Sequence, residues 1–302
     1  SFQFDSDYFP VLDCLDIGHT DVSINQKTRN EVQSKGLRRA IREIIKSRSY
    51  SIKPSVKILT DNESVGYAEK KGIRPTMEDS LIIRKLPSFE LYGVIDGHGG
   101  TKTSNLVAFK LPQLIAMFDV KSLIDCISNV NHFLFEMKVT DGATLSLVLL
   151  KKDEKMFSLN IGDSRVIIVH KDMTVTPLTN DHKPFIRDEL EQIRKCGNWV
   201  SADGRIGGML AVSRALGDFL LDGVSALPDI GEYTITENDY RVVIACDGVF
   251  DVLTNEEVGK IVCSEDLVSV AAYKIRNTAF SHLSDDNISV IVAELHSPSK
   301  NE

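Results

Sequence analysis

Leu91-Tyr92-Gly93-Val94-Ile95-Asp96-Gly97-His98-Gly99-Gly100 is the stretch that most constrains what this chain can fold into. An apolar run of strand length breaks off in a carboxylate, a glycine, a histidine and two more glycines. The run predicts a buried strand. The glycines let the backbone turn sharply and approach a ligand closely. Asp96, at the end of a buried strand, faces loss of its water, and a metal ion is a common remedy. Taken alone, the stretch also fits a tight turn in which Asp96 caps a following helix.

Four further stretches repeat the pattern of acids at strand ends. They are Val242-Val243-Ile244-Ala245-Cys246-Asp247-Gly248, Asp285-Asp286-Asn287-Ile288, Arg74-Pro75-Thr76-Met77-Glu78-Asp79 and Ile161-Gly162-Asp163-Ser164-Arg165. Acidic clusters of this kind can converge at one edge of a two-sheet core. Unpaired, the carboxylates would repel one another strongly; hard divalent cations with oxygen ligands would neutralise them. All-oxygen ligation, with no Cys/His set, points to Mg²⁺ or Mn²⁺ rather than zinc.

Around these stretches the chain is rich in strands from about residue 51. Strands are predicted at Val56–Thr60, Ser64–Lys70, Ser80–Lys85 and Leu91–Asp96, and helices at Thr101–Phe118 and Ser122–Met137. Ala143–Leu150, Met156–Ile161, Val166–His170 and Met173–Thr176 follow at close spacing and predict an antiparallel meander. Phe185–Cys196 reads as a helix, with Pro184 near its start and Gly197 at its end. Residues 197–231, rich in Gly, Asp and Ser, predict a long functional loop. Beyond it come strands at Tyr233–Thr236 and Val242–Cys246, helices at Glu256–Cys263 and Leu267–Ala279, and a last strand at Ile288–Leu295. Runs of strands alternating with runs of helices predict an α+β layered fold, with antiparallel sheets packed together and helices outside.

The first residues differ. Leu12-x-x-Leu15-x-Ile17-x-x-Thr20-x-Val22 fits the spacing of a leucine-rich repeat. A single repeat cannot bury its own apolar face, so residues 1–25 read either as the last repeat of an upstream array or as an N-terminal extension. Residues 26–50 read as a connecting helix, residues 51–296 as the main domain and residues 297–302 as a tail. An upstream repeat array would offer a surface for a protein partner.

The chain carries 35 Lys and Arg against 43 Asp and Glu, a net charge of −8. That balance argues against nucleic acid or an anionic membrane as the main partner. No apolar run is long enough to span a bilayer. The five cysteines are scattered, with no C-x-x-C pair, and predict free thiols in a reducing compartment, the cytoplasm or the nucleus.

A resemblance joins these stretches. Arg74-Pro75-Thr76-Met77-Glu78-Asp79, Asp96-Gly97-His98-Gly99-Gly100, Gly142-Ala143-Thr144, Gly162-Asp163-Ser164-Arg165, Asp181-His182-Lys183-Pro184, Leu210–Asp218, Asp247-Gly248-Val249-Phe250-Asp251 and Asp286-Asn287-Ile288-Ser289 occur in the order seen in metal-dependent protein phosphatases of the 2C type. The chain resembles that family from about residue 64 to 294. Phe250 stands where the family usually has tryptophan, Asn198 replaces a second glycine after Gly197, and the helical segment 101–140 is shorter than usual.

The resemblance implies a four-layer α-β-β-α sandwich of two antiparallel sheets flanked by helices. It implies a serine/threonine phosphatase acting on phosphorylated proteins through metal-activated water. It further implies that Asp96 bridges two Mn²⁺ or Mg²⁺ ions, that the Gly97 carbonyl ligates one of them, and that Asp247 and Asp286 complete the other site. Glu78 would hold a metal through water, and Asp163 with Asp247 could hold a weaker third ion. Arg74 would bind the substrate phosphate, and His98 would be the general acid for the leaving alkoxide. Asp79 and Asn287 would be supporting groups. Asp163 could instead satisfy a tight turn, Asp218 reads as structural rather than as a ligand, and Arg214 as one half of a buried ion pair. The competing reading is a catalytically weak binding module of the same fold attached to a repeat scaffold. A decayed site would have lost Asp96, Asp247 or Asp286, and all three are present.

Overall fold

Strands that must be buried on both faces set this architecture. In a computed structural model, residues 64–86, 88–117, 122–151 and 155–295 are described. The repeat-like pattern of residues 1–25, the helix expected within 26–50, the strand expected at Val56–Thr60 and the tail at 297–302 lie outside them.

The elements, in chain order, are strands β1 (Val65–Lys70), β2 (Ser80–Lys85), β3 (Phe89–Ile95) and β4 (Gly97–His98), then helices α1 (Lys102–Met117) and α2 (Leu123–Glu136). Next come β5 (Gly142–Ala143), β6 (Leu145–Lys151), β7 (Lys155–Ile161), β8 (Arg165–His170), β9 (Val175–Pro177) and helix α3 (Arg187–Lys195). The chain continues through β10 (Leu216–Gly217), β11 (Asp229–Thr234), β12 (Asp239–Ala245), helices α4 (Asp247–Phe250), α5 (Asn255–Cys263) and α6 (Val268–Ser281), and β13 (Ile288–Glu294).

One sheet runs β1-β13-β12-β8-β9 and the other β11-β7-β6-β3-β2, with every pairing antiparallel. Successive side chains of a strand point to opposite faces, and the three apolar cores follow from that. On β3, Leu91 and Ile95 face α1 and α2, while Tyr92 and Val94 face the other sheet. On β12, Val243 and Ala245 face the layer of α4, α5 and α6, while Val242 and Ile244 meet β3 and β6 across the sandwich. β3 and β12 therefore each read as an apolar run rather than as an alternating pattern. The α-β-β-α order expected from the resemblance is the order found.

Two expectations need correction. The meander over Ala143–Thr176 is divided between the sheets: β6 and β7 form a hairpin in one, β8 and β9 in the other. Gly162, with φ +100°, turns the chain from the first sheet to the second, and β7 and β8 on either side of it are both largely buried, so their patterns do not tell the two sheets apart. The run predicted as Ala143–Leu150 also breaks at Thr144, whose N–H donates to Asp96 O at 2.8 Å. Gly142 and Ala143 are thereby released into a third, small sheet ordered β10-β5-β4. The second correction is the strand expected at Tyr233–Thr236. It runs from Asp229 to Thr234 as an edge strand whose residues are mostly exposed, so backbone pairing with β7 defines it and apolar content does not.

The loop expected at 197–231 is largely irregular, held by isolated bridges such as Val200–Ile206 and Arg214–Ser225. Among the described residues no helix is long and apolar enough to cross a membrane.

Candidate metal centre

Strand register gathers the acids. Ser80 pairs with Ile95, so Glu78 and Asp79, just before β2, lie beside Asp96, just after β3. Ala245 pairs with Val290 on one side and with Arg165 on the other. Asp247, two residues beyond β12, thus meets Asp286, just before β13, and Asp163, just before β8. Close backbone approach makes this possible. A Cβ on Gly248 would stand 2.0 Å from Asn287 O, and one on Gly97 would stand 2.3 Å from Glu78 O.

Asp96, Cys246 and Asp247 present potential ligand atoms that all lie within 4.8 Å of one another. Burial and then repulsion from Asp79, Asp163 and Asp286 push the Asp96 carboxyl well above the usual carboxylate range. Asp247 is pushed up by burial, then by Asp96, Asp163, Asp286 and Asp251. Burial raises Asp79 to about 7, against the opposing hydrogen bond from Ser289, with Asp247, Asp286 and Glu69 adding to the rise. Asp247 Oδ1 and Asp79 Oδ1 are sealed from solvent without a hydrogen-bond partner.

That arrangement fits a hard cation. Orphaned, mutually repelling carboxylate oxygens are the groups a divalent ion satisfies. Cys246 does not join them as a thiolate. Burial raises its thiol well above the ordinary value, and its Sγ donates to Asn287 O at 3.3 Å and accepts from Ser289 N at 3.1 Å. The remaining donor set is oxygen, as Mg²⁺ and Mn²⁺ prefer.

The other site residues are placed as follows. Glu78 Oε2 accepts from Gly100 N at 3.1 Å and Oε1 from Thr76 Oγ1 at 2.8 Å. Asn287 ties the two loops together: its Oδ1 accepts from Glu78 N at 2.7 Å, and its Nδ2 donates to Lys71 O and Thr76 O. Half-exposed Arg74 donates from Nη2 to Asp286 Oδ2 at 2.6 Å. Asp163 is buried and ion-paired with Lys183. His98 Nε2 lies 2.6 Å from Asp218 Oδ2. Arg214 forms the ion pair expected of it, with Glu189 at 2.5 Å and Asp229 at 2.8 Å.

Sequence reasoning passed over three residues here. Asp251 follows Asp247 by one helical turn, and that i,i+4 spacing was a usable signal. Lys183 stands in the Asp181-His182-Lys183-Pro184 stretch and Asp218 reads as structural; neither has a local pattern that names its partner.

The raised carboxyls carry a stability consequence. Asp79 resists ionising when folded, so its contribution to stability is whole below the unfolded value of 3.8 and is lost as pH rises through about 7. Asp96 and Asp247 act in the same sense. The unfolding temperature of the metal-free protein is therefore expected to fall between pH 5.5 and 8, and added Mn²⁺ to raise it more at pH 8 than at pH 5.5. Thermal melts at both pH values test this; a metal-free midpoint that is flat or rising over the interval counts against it.

Similarity to known proteins agrees with this geometry. The family profile described as "Protein phosphatase 2C" matches residues 63–288. Probable protein phosphatase 2C 45 of Oryza sativa subsp. japonica is 37% identical over 253 residues, covering 77% of this chain and 88% of that protein. Probable protein phosphatase 2C 56 of the same plant is 34% identical over 251 residues, covering 76% of this chain and 70% of its own. The crystal structure of a phosphatase from a pathogenic strain of Toxoplasma gondii shares the fold with a TM-score of 0.69 at 23% identity, over 78% of this chain and 94% of that one.

Proposed function

We propose, from the premise that the chain belongs to the protein phosphatase 2C family, that this protein phosphatase hydrolyses phosphoserine and phosphothreonine in phosphorylated proteins with Mn²⁺ or Mg²⁺. The observation that carries the metal dependence is the set of desolvated, repelling carboxylates around Asp96 and Asp247, with oxygens that have no other partner.

Asp96, Asp247 and Asp286 would hold the pair of ions, with the Gly97 carbonyl and Glu78 completing the shell and Asp163 serving a third. Bound there, the ions supply an activated water and offset the charge of the phosphate. That local charge lets a chain of net charge −8 attract a phosphate. The remaining work falls to side chains. Arg74, now on Asp286, carries a planar fork that matches phosphate oxygens and is exposed enough to turn to them. A serine or threonine alkoxide is a poor leaving group, so proton donation by His98 is worth about 10²–10⁴-fold. The intact acidic set favours the enzyme over the weak binding module. The scattered thiols support a reducing compartment, the cytoplasm or the nucleus.

The test is direct. Purified protein is expected to release phosphate from a phosphothreonine peptide with Mn²⁺ and to stop when a chelator is added. Undiminished turnover in excess chelator would sink the metal assignment; no turnover with either ion would sink the enzyme.

A further inference from the structure

We propose that Asp218 is the positioning residue for His98, an inference that rests on the phosphatase reading above. The contact is short, 2.6 Å between His98 Nε2 and Asp218 Oδ2, and a dedicated piece of structure makes it. In the small sheet β10-β5-β4, His98 pairs with Gly142 on one side and Gly217 pairs with the same Gly142 on the other. Asp218, the residue after β10, is thereby brought over Gly142 onto the imidazole. Gly142 has to lack a side chain for this: a Cβ there would stand 2.0 Å from Asp218 Oδ2 and 2.4 Å from His98 Nε2.

Asp218 is also held in an unusual backbone. Its φ is +50°, in the left-handed region that few residues other than glycine adopt and that aspartate tolerates. Its N–H donates to Asp141 O at 3.3 Å, and its carbonyl accepts from Leu221 N at 3.0 Å. Asp141 is fixed in turn, accepting at Oδ2 from Lys102 N at 2.7 Å and from Thr103 N at 3.2 Å at the start of α1. A non-glycine residue kept at positive φ beside a candidate centre is the kind of local strain that marks functional positions.

The chemistry gives the carboxylate a specific task. An ionised carboxylate only accepts hydrogen bonds, so Nε2 keeps its hydrogen and Nδ1 is the nitrogen free to exchange a proton. As the bond from phosphorus to the serine or threonine oxygen breaks, that oxygen keeps the electron pair and takes the Nδ1 proton of the imidazolium. The alcohol departs, and the neutral ring regains a proton from water. Asp218 gives up no proton; it sets which nitrogen works and where the ring stands.

Leaving-group dependence separates this role from a structural one. A phosphothreonine peptide needs its leaving oxygen protonated, whereas p-nitrophenyl phosphate releases a stable anion. With Mn²⁺ present, Asp218→Asn is expected to lower kcat on the peptide about 10–100-fold more than on the aryl phosphate, a share of the general-acid contribution, with little change in peptide KM. Asp218→Gly accepts the left-handed turn and serves as the folded second variant, with the same expected split. In a His98→Gln background neither change is expected to add a further loss on the peptide. Equal losses on both substrates, or losses that multiply with His98→Gln, would overturn the proposal while leaving the phosphatase reading intact. A wild-type protein inert on both substrates would overturn the phosphatase reading and the proposal with it.

Discussion

Asp96→Asn is expected to cut Mn²⁺-dependent turnover by about 10³-fold or more while leaving the protein folded. The loss follows from charge. Stabilisation of the developing phosphate charge by bound cations is worth several kcal/mol, and each 1.36 kcal/mol is tenfold in rate, so about 4 kcal/mol corresponds to that loss. Asparagine keeps the shape and one acceptor oxygen but not the charge that would balance a shared dication. Asp96 O accepts from Thr144 N through the main chain, so the strand end is unaffected by the change.

The same substitution should move stability the other way. Desolvation, and then repulsion from Asp79, Asp163 and Asp286, hold the Asp96 carboxyl well above the usual range. Removing one member of a repelling set relieves the metal-free fold, so its unfolding midpoint should equal or exceed that of wild type. The Mn²⁺-induced gain should shrink, because a ligand that binds only the folded state stabilises it by about 2.7 kcal/mol at a hundred times its Kd. Turnover and paired melts with and without Mn²⁺ check both arms. Normal metal-dependent rates in the variant would remove Asp96 from the site.

Much of this was legible from sequence, for a physical reason. A strand buried on both faces must be apolar throughout, so Leu91–Ile95 and Val242–Ala245 stand out, and a carboxylate at their ends is conspicuous. The same double burial hid the partition of strands: nothing in Met156–Ile161 or Val166–His170 says which sheet it joins, and the turn at Gly162 decides it. The acids around the centre were readable because each sits at a strand end. Their partners were not. Lys183 reaches Asp163 across twenty residues, and Asp218 reaches His98 across 120. Such pairs exist only once strand register has been set, and register is a property of the whole sandwich. Asp229–Thr234 was misplaced because an exposed edge strand is defined by hydrogen bonds to β7 that leave no apolar mark.

Gly248→Ala is expected to be the most damaging small substitution near the centre, and the reason is space. The added Cβ would stand 2.0 Å from Asn287 O and 3.1 Å from Asn287 C, both main-chain atoms that cannot swing aside as a side chain can. Neither backbone is free to retreat. Cys246 N donates to Ser289 O at 3.1 Å, and Ser284 Oγ donates to Gly248 O at 2.7 Å, so the two segments are tied on either side of the contact. Opening the gap to ordinary contact would move Asp247 away from Asp286, the pair of acids this approach brings together. Overpacking of this kind costs about 3 kcal/mol or somewhat more, a fall of about 6–12 °C in unfolding midpoint for a domain of this size. A displacement of about 1 Å at a reacting centre costs about 10²-fold in rate, so turnover should fall even where the variant is fully folded. Gly197→Ala is the control, since Gly197 has φ +83° but no atom within 4 Å of its virtual Cβ. It should lose only the about 1–2 kcal/mol of a left-handed alanine and keep its turnover. Equal melting shifts in the two variants would mean that conformation, not the crowding of Gly248 against Asn287, sets the cost, and the geometry that holds the acids together would need another explanation.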